Sequence, residues 1–281
     1  MQREILITGC SSGIGHCVAA GLKDRGYRVF ASARKQEDVD RLKTEGFEAC
    51  RLDVRDSASI EAALDYILDL TGGRLFALFN NAGYAQPGAV EDLSRDMLRE
   101  QFETNLFGAQ ELTNRLIPVM RKQGAGRIIY NSSVLGFVAL RFRGAYIATK
   151  FAMEGLTDTL RMELHGTGIH VCLIEPGPVI SHFRRNAYAL FRANIDREKS
   201  FFRDSYAGVE RRLASEDDNN VPFTLGPEAV LNKVIHALES GNPRARYYVT
   251  VPTYGFGILK RVLPTRWLDW VLIKASGAEN R

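Results

Sequence analysis

The sequence lacks the features that mark several large classes of protein. It has only four cysteines in 281 residues, widely spaced and without a Cys-x-x-Cys pair, which favours a reducing compartment. Its five histidines show no metal-ligand spacing, and no run of about 18 uncharged apolar residues is present to span a bilayer. The N-terminus shows no signal-peptide pattern, because Met1 leads almost directly into an apolar run and a glycine turn. We therefore expect a cytoplasmic protein that needs no metal ion.

An excess of charge of one sign is also missing. The chain has 37 Lys and Arg residues against 33 Asp and Glu, a formal net charge of +4, and its cations alternate with acids in stretches such as 35–41 and 197–203. Nucleic-acid-binding proteins carry basic runs or stripes, so we expect no nucleic-acid partner. Because 45% of the residues are hydrophobic, the chain can build a large core and is not expected to be disordered.

Apolar runs of strand length alternate with helix-length stretches in which apolar residues recur every three or four positions. The predicted strands are residues 4–8, 28–33, 49–52, 75–80, 127–131 and 170–174. Nearly continuous apolar strands are typical of sheets buried on both faces, and helical crossovers favour parallel pairing. The pattern therefore predicts an α/β fold, a doubly wound parallel sheet of the Rossmann type, in a single domain over residues 1–251. Ligands of such sheets bind at the carboxyl ends of the strands.

The alternation of strands and helices stops after Pro176. Residues 183–226 are polar and too long for a plain connection, so we predict a substrate lid or mobile loop, followed by one more strand at 246–251. The aromatic residues of this lid could line an apolar pocket or simply pack the loop against the sheet. Residues 252–281 form an amphipathic C-terminal extension that could cover the pocket, join subunits or lie on a membrane surface.

A glycine-rich turn, TGCSSGIG at residues 8–15, follows the first predicted strand and opens a helical pattern. Glycines at this place let the backbone turn sharply and approach a pyrophosphate, whose charge is met by the amides at the start of the helix. The trio alone is also compatible with an ordinary tight turn, but its place between strand and helix favours a dinucleotide site. The candidate cofactor residues here are Gly9, Ser11, Ser12, Gly13, Ile14 and Gly15.

The end of the second predicted strand indicates which dinucleotide is bound. NAD sites usually place Asp or Glu there to hold the ribose hydroxyls, but this chain has Arg34 and Lys35. The guanidinium of Arg34 can bind a 2′-phosphate through two hydrogen bonds, and Ser12 can donate another. We therefore predict NADP(H) as the cofactor, with the alternative that Arg34 and Lys35 merely begin a solvated helix.

Ser133, Tyr146 and Lys150 form a second candidate constellation. Tyr146 and Lys150 lie one turn apart in a segment predicted to be helical over residues 145–164, so they share a face of that helix. A phenol is a poor acid or base near neutral pH, but an adjacent ammonium stabilises the phenolate and lowers the pKa. Ser133, at the end of the fifth predicted strand, can hydrogen-bond a substrate oxygen. Taken one at a time, the three residues have ordinary structural explanations.

The order of these elements resembles the short-chain dehydrogenase/reductase family over roughly residues 3–182. The matching positions are the turn at 8–15, Asn80-Asn81-Ala82-Gly83, Asn105, Ser133, Tyr146-x-x-x-Lys150 and Pro176-Gly177. Ser133 precedes Tyr146 by 13 positions, which is the family's spacing and selects Ser133 over Ser132. Within the family the chain is most similar to the NADP-dependent group of bacterial aldehyde reductases, 17β-hydroxysteroid dehydrogenases and retinol dehydrogenases.

The resemblance implies a catalytic role for each of four residues. Tyr146 would be the general acid for reduction, and Lys150 would lower the pKa of Tyr146 and bind the nicotinamide ribose. Ser133 would orient the substrate carbonyl. Asn105 would hold a water molecule that links Lys150 to solvent as a proton relay.

The same resemblance implies further contacts to the cofactor. Asp53 would accept a hydrogen bond from the adenine amino group, with Val54 beside it. Asn81 and Gly83 would line the adenosine ribose, although Asn81 could equally well brace the central strands. The remaining implied cofactor residues are Ala82, Pro176, Gly177, Val179 and Ser181, of which the last two would contact the nicotinamide carboxamide.

The implied activity is the NADPH-dependent reduction of a hydrophobic aldehyde or ketone, with Tyr146 as the proton donor. Two alternatives stay open: the NADP-dependent oxidation of a steroid- or retinoid-type alcohol, and a dinucleotide-sensing protein without catalysis. The expected partners are a small hydrophobic carbonyl or alcohol and further copies of the chain in a dimer or tetramer. Membrane contact is not expected, because Pro264 and Asp269 interrupt the apolar stripe of the C-terminal extension.

Overall fold

The computed structural model describes residues 3–215 and 222–277. Within these residues a single parallel sheet of seven strands has the order β3-β2-β1-β4-β5-β6-β7. The strands are β1 (Glu4–Ile7), β2 (Arg28–Ala33), β3 (Glu48–Arg51), β4 (Ala77–Asn80), β5 (Gly126–Asn131), β6 (Ile169–Glu175) and β7 (Arg246–Tyr248). The predicted doubly wound α/β fold of the Rossmann type is confirmed.

Helices connect the strands and cover both faces of the sheet. They are α1 (Gly13–Asp24), α2 (Gln36–Thr44), α3 (Ser57–Thr71), α4 (Arg95–Phe102), α5 (Gly108–Gln123), α6 (Gly144–Glu163), α7 (Phe183–Asn194), α8 (Arg203–Ala214), α9 (Glu228–Glu239), α10 (Val251–Val262) and α11 (Thr265–Ala275). A π-helical turn, Glu103–Phe107, joins α4 to α5.

Alternate residues of β1 belong to different halves of the core, because successive side chains of a strand point to opposite faces. Ile5 and Ile7 pack into a cluster with residues of α1 and α9, whereas Leu6 packs into a second cluster with residues of α3, α5 and α6. All three β1 side chains are fully buried. The sheet is therefore apolar on both faces, which explains why its strands appear in the sequence as nearly continuous apolar runs.

The strand order reverses between β1 and β4, and this reversal positions the site. β1 pairs with β2 on one side and with β4 on the other, and the two connections leave the sheet in opposite directions. In an open α/β sheet this arrangement opens a crevice at the carboxyl ends of the two central strands. The glycine turn at residues 8–15 starts where β1 ends, so it lies in that crevice.

The region predicted to be a substrate lid, residues 183–226, contains the helices α7 and α8; residues 216–221 lie outside the described residues. Phe191 of α7 and Tyr206 of α8 are buried and meet edge to face, with ring centroids 5.2 Å apart. Phe201, in contrast, is 87% exposed. Phe191 and Tyr206 thus belong to a third hydrophobic cluster beside the sheet.

The C-terminal extension forms α10 and α11, and part of it packs on this third cluster. Phe256, Leu268 and Leu272 contact the cluster, and Leu272 is buried. Trp267 and Trp270 on the other side of α11 are 68% and 59% exposed. Among the described helices, none combines the length and the apolar character required to cross a membrane.

Candidate active site

The glycine turn has a backbone that only glycine accommodates at three positions. Gly9 and Gly13 have φ values of +72° and +59°, in the left-handed region that other residues avoid. A Cβ on Gly15 would lie 2.3 Å from the carbonyl oxygen of Gly9, so the turn closes tightly on itself. Ser12 is the N-cap of α1, and its side chain makes no capping hydrogen bond there. The first amides of α1 therefore open toward the crevice, where an anion is favoured.

Asn81 braces the strands next to this turn. Its side-chain amide donates to the carbonyl oxygens of Thr8 (2.9 Å) and Gly9 (3.2 Å), and its side-chain oxygen accepts from the Asn131 amide at 2.9 Å. The hydroxyl of Thr8 accepts from the backbone N–H groups of Asn81 and Ala82. Asn81 thus braces the ends of β1, β4 and β5, and its contact with the adenosine ribose stays a prediction.

Asn105 is fully buried within the π-helical turn. Its side chain accepts from the N–H of Tyr84 (3.0 Å) and donates to the carbonyl of Tyr84 (2.9 Å) and the hydroxyl of Thr149 (3.2 Å). Gly83 packs against it, since a Cβ there would lie 3.2 Å from the Asn105 oxygen. Asn105 thus reaches the catalytic helix through Thr149 rather than through Lys150, and its water relay stays a prediction.

The adenosine end of the crevice is basic and open to solvent. A surface depression of about 540 Å³ is lined by Arg34, Lys35, Gln36, Glu37, Arg51 and Asp53. The guanidinium of Arg51 donates to the backbone carbonyl of Arg34 at 3.3 Å, so a second cation lies beside the predicted one. The Asp53 carboxylate pairs with Arg55 at 2.9 Å, which lowers the pKa of Asp53. Val54 is buried beneath this edge.

The segment after β6 closes the nicotinamide end of the crevice. The carbonyl oxygen of Pro176 accepts the N–H of Val134 at 2.8 Å, which ties the segment to the end of β5. Gly177 approaches Thr250 so closely that a Cβ would lie 2.1 Å from its hydroxyl oxygen. Ser181 lies beside Gly13, 3.0 Å from the place of a Cβ on that glycine.

Val179, between Gly177 and Ser181, forms a bridge with Leu225 and packs on the first hydrophobic cluster. Ile14 packs on the same cluster from the start of α1. The backbone carbonyl of Ser11 accepts the Arg41 guanidinium at 2.6 Å. These residues lie at the start of α1 and in the segment after β6, and their contacts with a cofactor stay a prediction.

Ser133, Tyr146 and Lys150 lie close together between the end of β5 and α6, and all three side chains are buried. The hydroxyl of Ser133 accepts the N–H of Leu135 at 3.1 Å and lies near enough to Tyr146 to lower the pKa of that phenol. The Lys150 ammonium lies 5.5 Å from the centroid of the Tyr146 ring, so α6 presents both residues on one face. Lys150 also donates to the carbonyl oxygen of Asn131 at 2.6 Å. The structure thus brings together the three residues that the sequence places on β5 and α6.

Desolvation dominates the electrostatics of the tyrosine and the lysine. Burial raises the pKa of Tyr146 to about 12, with the Ser133 hydroxyl as an opposing effect. Burial also lowers the pKa of Lys150 to about 8, opposed by the negative charge of Glu154. The lowering of the Tyr146 pKa by Lys150 stays a prediction, because burial and the Ser133 hydroxyl are the two effects resolved on this phenol. Tyr146 is therefore a protonated phenol at neutral pH, which is the form that donates a proton.

Two features of the site were missed from the sequence. The sequence indicates Phe183 only as one of the aromatic residues of the predicted lid. In the structure its ring meets that of Tyr146 edge to face, with centroids 5.4 Å apart. Glu154 lies one helical turn beyond Lys150 and is also buried. The four-residue spacing from Tyr146 through Lys150 to Glu154 could have revealed the second feature, whereas no local signal indicates the first.

Comparisons with known proteins agree with this geometry. The family model of the short chain dehydrogenases matches residues 3–189. An uncharacterized oxidoreductase of Escherichia coli K12, YbbO, is 42% identical over 97% of this chain and 94% of its own length. Human 17-beta-hydroxysteroid dehydrogenase type 1 is 32% identical over 88% of this chain and 77% of its own length.

A solved structure gives the same result. A short chain dehydrogenase/reductase from Burkholderia phymatum in complex with NAD superimposes with a TM-score of 0.76 at 25% identity, covering 93% of this chain and 92% of that one. The fold, the crevice and the family match thus coincide on the same part of the chain. The protein belongs to the short-chain dehydrogenase/reductase family and is an NAD(P)-dependent oxidoreductase of that family.

Proposed function

We propose that the protein is an NADPH-dependent reductase of hydrophobic aldehydes or ketones. The observation that carries the proposal is the buried Ser133–Tyr146–Lys150 group, in a chain whose first strand ends in the glycine turn. A bound NADPH would supply a hydride to the carbonyl carbon. The groups of this chain would then supply a proton and hydrogen bonds to the carbonyl oxygen.

Tyr146 donates the proton in this proposal. Its raised pKa keeps the phenol protonated at neutral pH, and the Ser133 hydroxyl, which lies near that phenol, is placed to hold the carbonyl oxygen beside it. As the hydride reaches the carbon, negative charge develops on the oxygen, and the Tyr146 proton neutralises it to form the alcohol. The nearby Lys150 ammonium stabilises the phenolate that remains.

NADPH is preferred over NADH in this proposal because of the basic depression at the end of β2. Arg34 and Arg51 lie together there, and the position that holds a carboxylate in NAD sites has Arg34 instead. A 2′-phosphate would gain charge-assisted hydrogen bonds from these guanidinium groups. Lys35 is already paired with Glu37 at 2.9 Å, so it contributes less.

A hydrophobic substrate is supported by the surroundings of Tyr146. The catalytic ring is part of the third hydrophobic cluster, together with Leu135, Val138 and residues of α7 and α8. Phe183 covers the edge of the Tyr146 ring. An apolar wall around one polar catalytic group is typical of sites that bind apolar molecules with a single reacting oxygen.

The test is a panel of aliphatic and aromatic aldehydes, ketones and the corresponding alcohols, followed by nicotinamide absorbance with NADPH and with NADH. We expect carbonyl-dependent NADPH oxidation, at least 100-fold slower in Tyr146→Phe. Arg34→Ala is expected to weaken NADPH binding at least tenfold and leave NADH binding unchanged. Arg74→Ala is the matched control, because Arg74 is an exposed arginine just before β4, at the amino ends of the strands and away from the basic depression.

Each alternative gives a different result in the same panel. A protein that senses the dinucleotide without catalysis would bind NADPH and oxidise none of it with any carbonyl. An NADP-dependent dehydrogenase of steroid- or retinoid-type alcohols would reduce NADP with the alcohols more efficiently than it oxidises NADPH with the carbonyls. Full NADPH preference in Arg34→Ala would refute the cofactor assignment.

A further inference from the structure

Glu154 continues a row of polar side chains along the buried face of α6. Tyr146, Lys150, Glu154 and Asp158 follow one another at intervals of four residues, so each lies one turn below the last. Glu154 is only 7% exposed. A carboxylate buried to this degree is costly unless it is paired, so its partners decide what it does.

Two elements hold the Glu154 carboxylate from opposite sides. One oxygen accepts the hydroxyl of Ser132, the residue directly before Ser133. The other lies 3.0 Å from the guanidinium of Arg246 on β7, which also binds Asp158 at 2.7 Å. Gly136 packs onto this contact, since a Cβ there would lie 2.6 Å from the Ser132 hydroxyl and 2.8 Å from the Glu154 oxygen. The carboxylate is therefore fixed in place.

Glu154 lies among several charged groups, including a second buried carboxyl. The groups that face it with charge or a titratable proton are Lys150 and Asp158 on its own helix, Glu175 on β6, Arg246 and Tyr248 on β7, and Lys260 on α10. Burial, and then Glu154, raise the pKa of Glu175 to about 9. Glu175 is fully buried and lies 3.2 Å from the Arg246 guanidinium, and its raised pKa favours its protonated form at neutral pH.

We propose that Glu154 is a positioning residue of the active site: its anchored carboxylate sustains the positive charge on Lys150 and, through Ser132, fixes the strand end that presents Ser133. The consequence for turnover rests on the proposed carbonyl chemistry, whereas the effect on the lysine does not. Among the described residues, the hydrogen-bond acceptors of the Lys150 ammonium are neutral: the Asn131 carbonyl at 2.6 Å and the Met153 sulfur at 3.9 Å. Glu154 acts on the lysine through its charge, one helical turn away.

The lysine charge is tested first, in protein without added nucleotide. Lysine labelled with ¹³C at Cε is titrated by NMR between pH 6 and pH 11, and Lys150→Arg assigns the signal. Glu154→Gln keeps the shape and removes the charge, and we expect it to lower the pKa of Lys150 by about one unit. Glu154→Asp keeps the charge and is expected to stay near the wild-type value.

Glu175→Gln is the matched control, because it makes the same isosteric change in the same buried pair. Since Glu175 is already protonated, we expect this variant to leave the Lys150 pKa within about 0.3 units of wild type. An unchanged Lys150 pKa in Glu154→Gln overturns the proposal. A shift of about one unit in Glu175→Gln also overturns it, because the charge that acts on Lys150 would then lie on Glu175; this arm decides the matter if Glu154→Gln does not fold.

The second readout is the pH profile of kcat/KM for carbonyl reduction. The rate falls at high pH as Lys150 loses its proton, so Glu154→Gln is expected to move this alkaline limb down by the same amount as the titration. Ser132→Ala leaves the Glu154 charge but removes the hydrogen bond that holds the end of β5 to it. We therefore expect its kcat to fall several-fold, while the pH of the alkaline limb stays unchanged. A limb that stays in place in Glu154→Gln while the NMR pKa moves would remove the link to catalysis.

A wild-type protein that reduces no carbonyl in the panel would refute the proposed function. The lysine titration would still decide the electrostatic role of Glu154, so the two failures are distinguishable.

Discussion

The buried lysine of the active site makes a quantitative prediction about stability. Burial lowers the pKa of Lys150 from 10.5 to about 8, so between these values the unfolded chain binds a proton that the folded protein does not. Stability therefore rises with pH in that window. Each unit of pKa difference corresponds to about 1.4 kcal/mol, and the part that develops between pH 7 and pH 9.5 is about 2 kcal/mol.

Lys150→Met removes this contribution. The variant loses the hydrogen bond to the Asn131 carbonyl, but that loss costs about the same at both pH values and cancels in the comparison. When the pH rises from 7 to 9.5, we expect the unfolding free energy of the wild type to increase by about 2 kcal/mol relative to that of Lys150→Met. Urea denaturation followed by far-UV circular dichroism at both pH values measures the difference.

The control for this experiment is Lys122→Met, a substitution at an exposed lysine of α5. Its difference from the wild type should be the same at pH 7 and at pH 9.5. If the difference in unfolding free energy between wild type and Lys150→Met is also the same at both pH values, to within about 0.5 kcal/mol, then burial does not lower the pKa of Lys150.

Three further variants test other parts of the site. Gly15→Ala places a Cβ 2.3 Å from the Gly9 carbonyl oxygen, and we expect at least tenfold weaker NADPH binding by isothermal titration calorimetry. Tyr206→Phe leaves the buried N–H of Ala89 without its 2.8 Å partner, which should lower the unfolding free energy by about 1–3 kcal/mol in urea. Phe183→Ala opens the apolar edge of the catalytic ring, so kcat/KM should fall about tenfold for long-chain aldehydes and little for acetaldehyde.

Each of these variants has a control of the same chemistry. Gly155→Ala adds a Cβ where nothing lies within 4 Å, Tyr66→Phe alters an exposed tyrosine, and Phe201→Ala alters an 87% exposed phenylalanine. NADPH affinity that survives in Gly15→Ala would show that the turn does not receive the dinucleotide. Equal losses in Tyr206→Phe and Tyr66→Phe, or an equal effect of Phe183→Ala on every aldehyde, would likewise contradict the assigned contacts.

The strands were predictable because their burial is nearly complete. The segments predicted at residues 28–33 and 127–131 correspond to β2 (Arg28–Ala33) and β5 (Gly126–Asn131), within one residue at each end. The catalytic helix was predicted over 145–164 and is Gly144–Glu163. A continuous apolar run or a regular four-residue spacing is a local property, so it survives into the fold.

The lid region was harder to interpret, because only a narrow side of each helix is buried. In α7 the buried residues are Ala187 and Phe191, and every other position is half-buried or exposed. In α8 the buried residues include Tyr206 and Val209, among charged neighbours. A mostly solvated helix has an amino-acid composition like that of a loop, so the sequence alone does not distinguish the two.

The pKa of the catalytic tyrosine shows where local spacing stops being informative. Spacing places Tyr146 and Lys150 on one face of α6, but the cost of burying both depends on every element packed over them. One group that offsets this cost, Glu154, lies on the same row, yet its anchor Arg246 is 92 residues further along the chain, on β7. The charge state of the site therefore depends on α6 and β7 together. Substitutions on β7, such as at Arg246, are expected to change the pH dependence of catalysis.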